Sequence, residues 1–316
     1  MVAVSGSVTY YANPNVSVSS VEVDLTGPQS QTVRTSADGF YGASEIPAGT
    51  WSVAPVKLGS LGSAVSALDA ARVLQVIAGL TTFSPMQRLA CDVTGDGTLS
   101  AVDATRILQY SAGIITKLPA GNLCNSDWLF YPSPDSMQNQ ELIPPTLGGG
   151  SCNPGNIVID PLLVQATNQD FDAILLGDCT GNWTPSEGGG AFRQRASFST
   201  AVHAGRPRRG PGGRVRLPIY VQSRGPFQAL DVTLTYDPDA LSLRSARPRG
   251  AAAGAMIGVS DDEPGVVQIS LASGTPIEGN GAVVVVELSG AGTAHIELAE
   301  AEVDERPARA VTHGPR

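Results

Sequence analysis

The chain has 316 residues, a length that fits two to four domains. Hydrophobic residues make up 42% and charged residues 16%, with 36 glycines and 23 prolines, which describes buried cores joined by many turns and excludes wholesale disorder. The formal net charge of −9 argues against a nucleic-acid partner, and no run approaches the ~20 apolar residues of a membrane span.

Residues 1–56 alternate as strands do. Val8 and Tyr10, then Val21, Val23 and Leu25, then Val33, then Trp51 and Val53 recur between turn residues. Ser36-Ala37-Asp38-Gly39 and Pro47-Ala48-Gly49 are the clearest turns. The N-terminus reads directly into the first strand, so no signal peptide is visible, and export would need a signal outside this chain. The runs Ser5-Gly6-Ser7-Val8-Thr9-Tyr10, Thr35-Ser36-Ala37-Asp38-Gly39-Phe40-Tyr41 and Ile46-Pro47-Ala48-Gly49-Thr50-Trp51-Ser52-Val53 resemble the transthyretin-like, carboxypeptidase-regulatory (CnaB-like) β-sandwiches. That resemblance implies a spacer or stalk.

Residues 64–80 and 98–114 repeat, with nine of seventeen positions identical at an offset of 34. Val73, Leu74 and Ile77 in the first copy, and Ile107 and Leu108 in the second, have helical spacing. Gly79 and Gly113 stop the two helices.

The second copy opens with a loop rich in oxygen donors, from Asp92 to Asp103. Asp92, Thr94 and Asp96 alternate, Thr98 offers its carbonyl, Ser100 a hydroxyl or a bridged water, and Asp103 closes the set. Calcium, a hard cation, takes six to eight oxygens at about 2.3–2.6 Å, and Gly97 permits the sharp turn they require. This stretch, about residues 57–117, resembles a type I dockerin, a calcium-binding EF-hand-like pair of loop-helix repeats that docks on a cohesin. The resemblance implies Ca²⁺ and a protein partner. It also implies that the residues before each closing Asp face that partner, namely Ala67-Leu68 and Ala101-Val102; packing within this chain is the alternative. In the first copy the aligned loop positions are Leu58, Ser60 and Gly62, so Asp69 reads as a helix cap more than as a metal ligand.

Residues 118–198 show no clear periodicity and read as an irregular lobe closed by disulfides, with loops at Gly148-Gly149-Gly150 and Gly188-Gly189-Gly190. The four cysteines, with no CxxC among them, suit two disulfides in an oxidising compartment; four buried free thiols are the alternative. Of three possible pairings, Cys91 with Cys179 and Cys124 with Cys152 is favoured. Cys91 precedes Asp92 and Cys179 follows Asp178, and Asp178-Cys179-Thr180-Gly181-Asn182-Trp183 echoes the start of the calcium loop. Asp178, Thr180 and Asn182 are therefore candidates for a second cation, against the alternative of an anchored turn.

Residues 199–316 return to strands, with Asp237-Pro238 as a turn. Val215-Arg216-Leu217-Pro218-Ile219-Tyr220-Val221, Phe227 to Pro238 and Gly265 to Ala272 resemble a cohesin sandwich. The expected fold is thus mainly β and multi-domain. Two β-sandwiches (1–56 and 199–316) flank a dockerin-like helix pair (57–117) and the irregular lobe (118–198).

A plug and a socket in one chain imply a calcium-stabilised extracellular or cell-surface assembly protein, with a protein partner or a head-to-tail homopolymer as the product. A carbohydrate-binding or adhesive module is the second reading, with Trp51, Trp128 and Trp183 as stacking candidates. The segment Arg206-Pro207-Arg208-Arg209 reads as a solvated linker or as a contact for an acidic glycan or partner. The three histidines, His203, His295 and His313, stand in no catalytic motif, and the chain is expected not to be an enzyme.

Overall fold

A computed structural model describes residues 1–185, 200–279, 281–290 and 295–312. The loop expected at Gly188-Gly189-Gly190, the boundary expected at 198–199, and His313 lie outside these residues. The chain forms two compact units. Unit 1 is Met1–Ala64, Phe83–Leu99 and Lys117–Gly190; unit 2 is Val65–Thr82, Ser100–Thr116 and Ala191–Arg316.

The first strands are β1 (Val2–Tyr10), β2 (Asn13–Ser17), β3 (Glu22–Thr26), β4 (Gln31–Arg34), β5 (Phe40–Ile46) and β6 (Gly49–Val56). Four helices follow: α1 (Ala67–Ile77), α2 (Pro85–Cys91), α3 (Ala101–Ser111) and α4 (Pro119–Cys124). Next come β7 (Trp128–Pro132), β8 (Gln140–Ile143), β9 (Thr146–Gly148), β10 (Ser151–Asn153), β11 (Asn156–Leu162) and β12 (Phe171–Leu175).

Unit 1 is built from two five-stranded sheets and a two-stranded ribbon, β9-β10. One runs β2-β1-β12-β7, with β5 also paired to β1; the other runs β4-β3-β6-β11-β8. Alternation explains the pleat: β1 buries Val4, Gly6, Val8 and Tyr10 and turns the residues between them outward. Trp51, Trp128, Phe130, Ile157 and Phe171 share one core cluster with Val4, Val8 and Tyr10. The segment read from sequence as an irregular lobe is in part regular. Its strands β11 and β12 enter the sheets begun by residues 1–56, with Ile159 opposite Trp51 and Phe171 opposite Val8. Each also pairs within its own segment, β11 with β8 and β12 with β7, but the partners in residues 1–56 lie more than a hundred residues away, so no local pattern announces that these strands join those sheets.

Unit 2 continues with β13 (Ala201–Ala204), β14 (Arg208–Gly210), β15 (Arg214–Gln222), β16 (Phe227–Tyr236), β17 (Leu241–Pro248) and β18 (Met256–Ser260). It ends with β19 (Val266–Ile277), β20 (Ala282–Gly290), β21 (Ile296–Val303), β22 (Arg306–Pro307) and β23 (Arg309–Thr312). One sheet runs β17-β20-β15-β13-β23 with β14 beside β15; the other runs β18-β19-β16-β21-β22. Leu217, Ile219, Leu230, Val232, Ile269 and Val284 belong to its core cluster. The molecule is therefore mainly β, with multi-sheet sandwiches and a small helical segment.

Candidate functional site: a helix pair seated on a sheet

In unit 1, the head of the acidic loop is organised by Asp92. Its Oδ1 accepts the N–H groups of Gly95 at 2.9 Å and Asp96 at 3.2 Å, and its Oδ2 accepts that of Gly97 at 2.7 Å. Gly95 and Gly97 sit at φ +74° and +90°, where a Cβ is unfavourable. Asp96 is exposed and accepts the Thr98 N–H at 2.8 Å and hydroxyl at 2.7 Å, which holds its carboxyl below the usual range. The donors of the loop are all oxygens and its glycines allow the curl, so donor chemistry fits a hard divalent cation. Among the described residues no three His, Cys, Asp or Glu side chains are gathered as a metal cluster.

Asp178 repeats the arrangement. Its Oδ1 accepts from Gly181 at 2.8 Å and Asn182 at 3.2 Å, and its Oδ2 accepts from Trp183 at 3.2 Å. Gly181, at φ +73°, stands where Gly95 stands in the first turn. The difference is that the Tyr10 hydroxyl also donates to Asp178 Oδ2. Burial of the carboxyl raises its pKa, and these four donors offset part of that rise. Asp178, with Thr180 and Asn182 in its turn, thus has the hydrogen bonding of an anchored turn. Disulfides join Cys91 to Cys179 and Cys124 to Cys152.

In unit 2, α1 and α3 start alike. Asp69 Oδ2 accepts the Ser66 N–H at 2.8 Å and Asp103 Oδ2 accepts the Ser100 N–H at 2.8 Å, each completing a capping box. The two helices pack on one face of the second sheet of the sandwich: α1 against β16 and β19, α3 against β18 and β19.

Asp231 on β16 is the polar centre of this contact. Its Oδ1 accepts the hydroxyls of Ser270 (2.6 Å) and Ser111 (2.7 Å), and its Oδ2 accepts the Ala67 N–H at 3.3 Å. One carboxylate therefore holds the first turn of α1, the last turn of α3 and a serine of β19. Burial raises its pKa most, the three hydrogen bonds pull it back, and nearby Glu305 adds to the rise. Glu305 accepts the Ser66 hydroxyl at 2.9 Å.

Two glycines permit the close approach. A Cβ at Gly258 would stand 2.8 Å from the Leu108 carbonyl oxygen and 3.2 Å from Ala112 Cβ. A Cβ at Gly274 would stand 3.2 Å from Leu74 Cβ and 3.5 Å from its carbonyl carbon. Leu74 and Leu108 occupy the same position of the 34-residue repeat, so the sheet offers one glycine to each copy. Asp231, Ser270, Gly258 and Gly274 were not singled out in the sequence. The one local hint is Asp231 itself, an acid within an otherwise apolar and threonine alternation.

The residues before the closing acids divide between the two readings open for them. Ala67 and Leu68 are buried within the chain, whereas Ala101 is exposed and Val102 is 52% exposed. Trp51, Trp128 and Trp183 are all buried, and their indole N–H groups donate to the carbonyls of Pro47, Gly59 and Ser60, so none is a platform for a sugar ring.

None of the curated protein sequences matches this chain. Solved structures similar to it include a cohesin of the scaffoldin B of Acetivibrio cellulolyticus in complex with a dockerin, at 15% identity and TM-score 0.31, covering 37% of this chain and 100% of that one. A cohesin module of a family 33 glycoside hydrolase from Clostridium perfringens has the same identity, coverage and score. A non-cellulosomal cohesin from Archaeoglobus fulgidus is 17% identical with TM-score 0.27, covering 36% of this chain and 86% of that one. In sequence, residues 63–110, the stretch that carries the two capping boxes and the acidic loop, match the Dockerin type I domain.

Proposed function

We propose that this chain is a calcium-stabilised structural protein of the cell exterior that assembles by seating a dockerin helix pair on a cohesin-like sheet. The observation that carries the reading is Asp231, which binds both repeat helices to one sheet face through Ala67, Ser111 and Ser270. The helices occupy that face within their own chain. A neighbour's helices would fill the same face in exchange, which is the step that would turn a closed chain into a head-to-tail fibre. Two disulfides and no free cysteine suit an oxidising exterior. Calcium would be held by Asp92, Thr94, Asp96, the Thr98 carbonyl, Ser100 and Asp103, and would supply charge that fixes the loop leading into α3.

Complementary variants test assembly. Leu74→Arg spoils the helix pair and leaves the sheet intact; Gly274→Leu spoils the sheet and leaves the helix pair intact. Each alone should sediment as a single chain, and an equimolar mixture should form a one-to-one complex in analytical ultracentrifugation. A mixture that stays monomeric overturns the assembly role. Calcium is tested by calorimetric titration of the chelated protein: one saturable site and a raised melting temperature are expected, and identical melting in EDTA and in excess calcium removes the metal from the proposal.

A further inference from the structure

The sandwich of unit 2 carries a second feature, on the sheet that does not hold the helices. A cleft of about 660 Å³ is lined by Arg208, Arg209, Arg214, Arg216 and Arg244, with Gly210, Pro211 and Gly212 at its rim. Register explains how four of these guanidinium groups come together. Arg208 on β14 lies directly opposite Arg216 on β15, and Gly210 opposite Arg214. On the far side, Arg216 lies opposite Glu287 on β20, and β20 pairs with β17, where Arg244 sits at a break in register between Leu243 and Ser245. All five arginines are exposed.

Like charges directly opposite on neighbouring strands destabilise a sheet. A chain of net charge −9 has acids enough to neutralise such a patch, yet among the described residues only Glu287 pairs with it, at 2.8 Å from Arg216 Nε. Among the described residues Arg208, Arg209, Arg214 and Arg244 have no ion-pair partner. We infer that this cleft binds an acidic polysaccharide through its carboxylate or sulfate groups.

Three features select that class. The charged lining is wholly arginine, whose planar fork takes carboxylate and sulfate oxygens in pairs. The patch spans β14, β15, β20 and β17, three strand spacings or roughly 14 Å, which suits several anionic groups in a row better than one small ion. The lining holds no aromatic side chain on which bases could stack.

The test uses the full chain, with fluorescence anisotropy of labelled polygalacturonate and heparin octasaccharides. Neutral dextran, a short DNA duplex and sodium sulfate are the comparisons. Arg208→Ser/Arg214→Ser/Arg244→Ser should weaken saccharide binding by at least about ten-fold, the loss of one or two charge-assisted contacts. Its melting temperature should be unchanged or raised, because a repulsive cluster has been thinned. The charge-matched control Arg34→Ser/Arg306→Ser/Arg309→Ser should bind as the parent does. The inference is overturned if the cleft variant binds as tightly as the parent, or if the control loses as much. Tighter binding of duplex than of either saccharide, or complete displacement by sulfate at the saccharide's own concentration, also overturns it.

Discussion

Asp231 illustrates how much one partly buried carboxylate can organise. It accepts three hydrogen bonds from three elements, so truncation leaves three donors to find other partners. Asp231→Ala should cost about 1–3 kcal/mol in chemical denaturation, the usual penalty for orphaned buried donors. Asp231→Asn should recover most of that, because serine hydroxyls can accept from the amide while its oxygen faces Ala67. The raised pKa adds a pH signature. A carboxyl whose folded pKa lies above its unfolded value holds its proton more firmly in the folded state. Its contribution is complete below the unfolded pKa, ~3.9, and is lost as pH rises through the folded value. The stability of the parent minus that of Asp231→Asn should therefore fall as pH is raised from acid toward neutrality. A pH-independent difference would mean that burial does not perturb this carboxyl.

At the scale of elements, the helices and their seat were unequally visible. The two copies announce themselves through a 34-residue period, Ser-x-x-Asp capping boxes and stopping glycines, all of which are local. The seat is non-local: Asp231 meets Ala67 across 164 residues and Ser111 across 120. Gly258 and Gly274 look like ordinary strand glycines until a helix backbone is placed over them. Strands β11 and β12 escaped for a related reason, joining β6 and β1 far away in sequence, while β9 and β10, a hairpin of three-residue strands, are too short for an alternation to show. The acidic loop was legible because the carboxylate that organises it and the backbone N–H groups it accepts lie within six consecutive residues, Asp92 to Gly97. The tyrosine that caps Asp178 was not, because it comes from β1. The glycines give a direct test. Gly258→Val must push α3 off its carbonyl contact, and Gly274→Val must push α1, each costing about 1–3 kcal/mol as overpacking does. Hydrogen exchange should quicken in α3 for the first variant and in α1 for the second. Equal protection in both helices would show that the sheet adjusts instead.

For the whole molecule, the distribution of cysteines separates the two units. All four lie in unit 1, and the described part of unit 2 contains none. Cys91–Cys179 spans 88 residues, a loop long enough that chain-entropy arguments assign it about 4–5 kcal/mol of constraint on the unfolded chain. It also ties the end of α2 to the turn of Asp178, so the two similar aspartate turns of unit 1 are fastened next to their first residues. The core clusters of the two units are separate, which lets each sandwich melt on its own hydrophobic interior. Two calorimetric transitions are therefore expected. Cys91→Ser/Cys179→Ser should lower one of them by an amount equivalent to about 2–5 kcal/mol and leave the other near its original temperature. Reductant should act on the parent in the same selective way. Two of the three segments of unit 2, 65–82 and 100–116, are nevertheless held in unit 1 at both ends. If both transitions fall together, those tethered helices transmit the loss, and the seat formed by Asp231, Gly258 and Gly274 depends on the order of the disulfide-bonded unit.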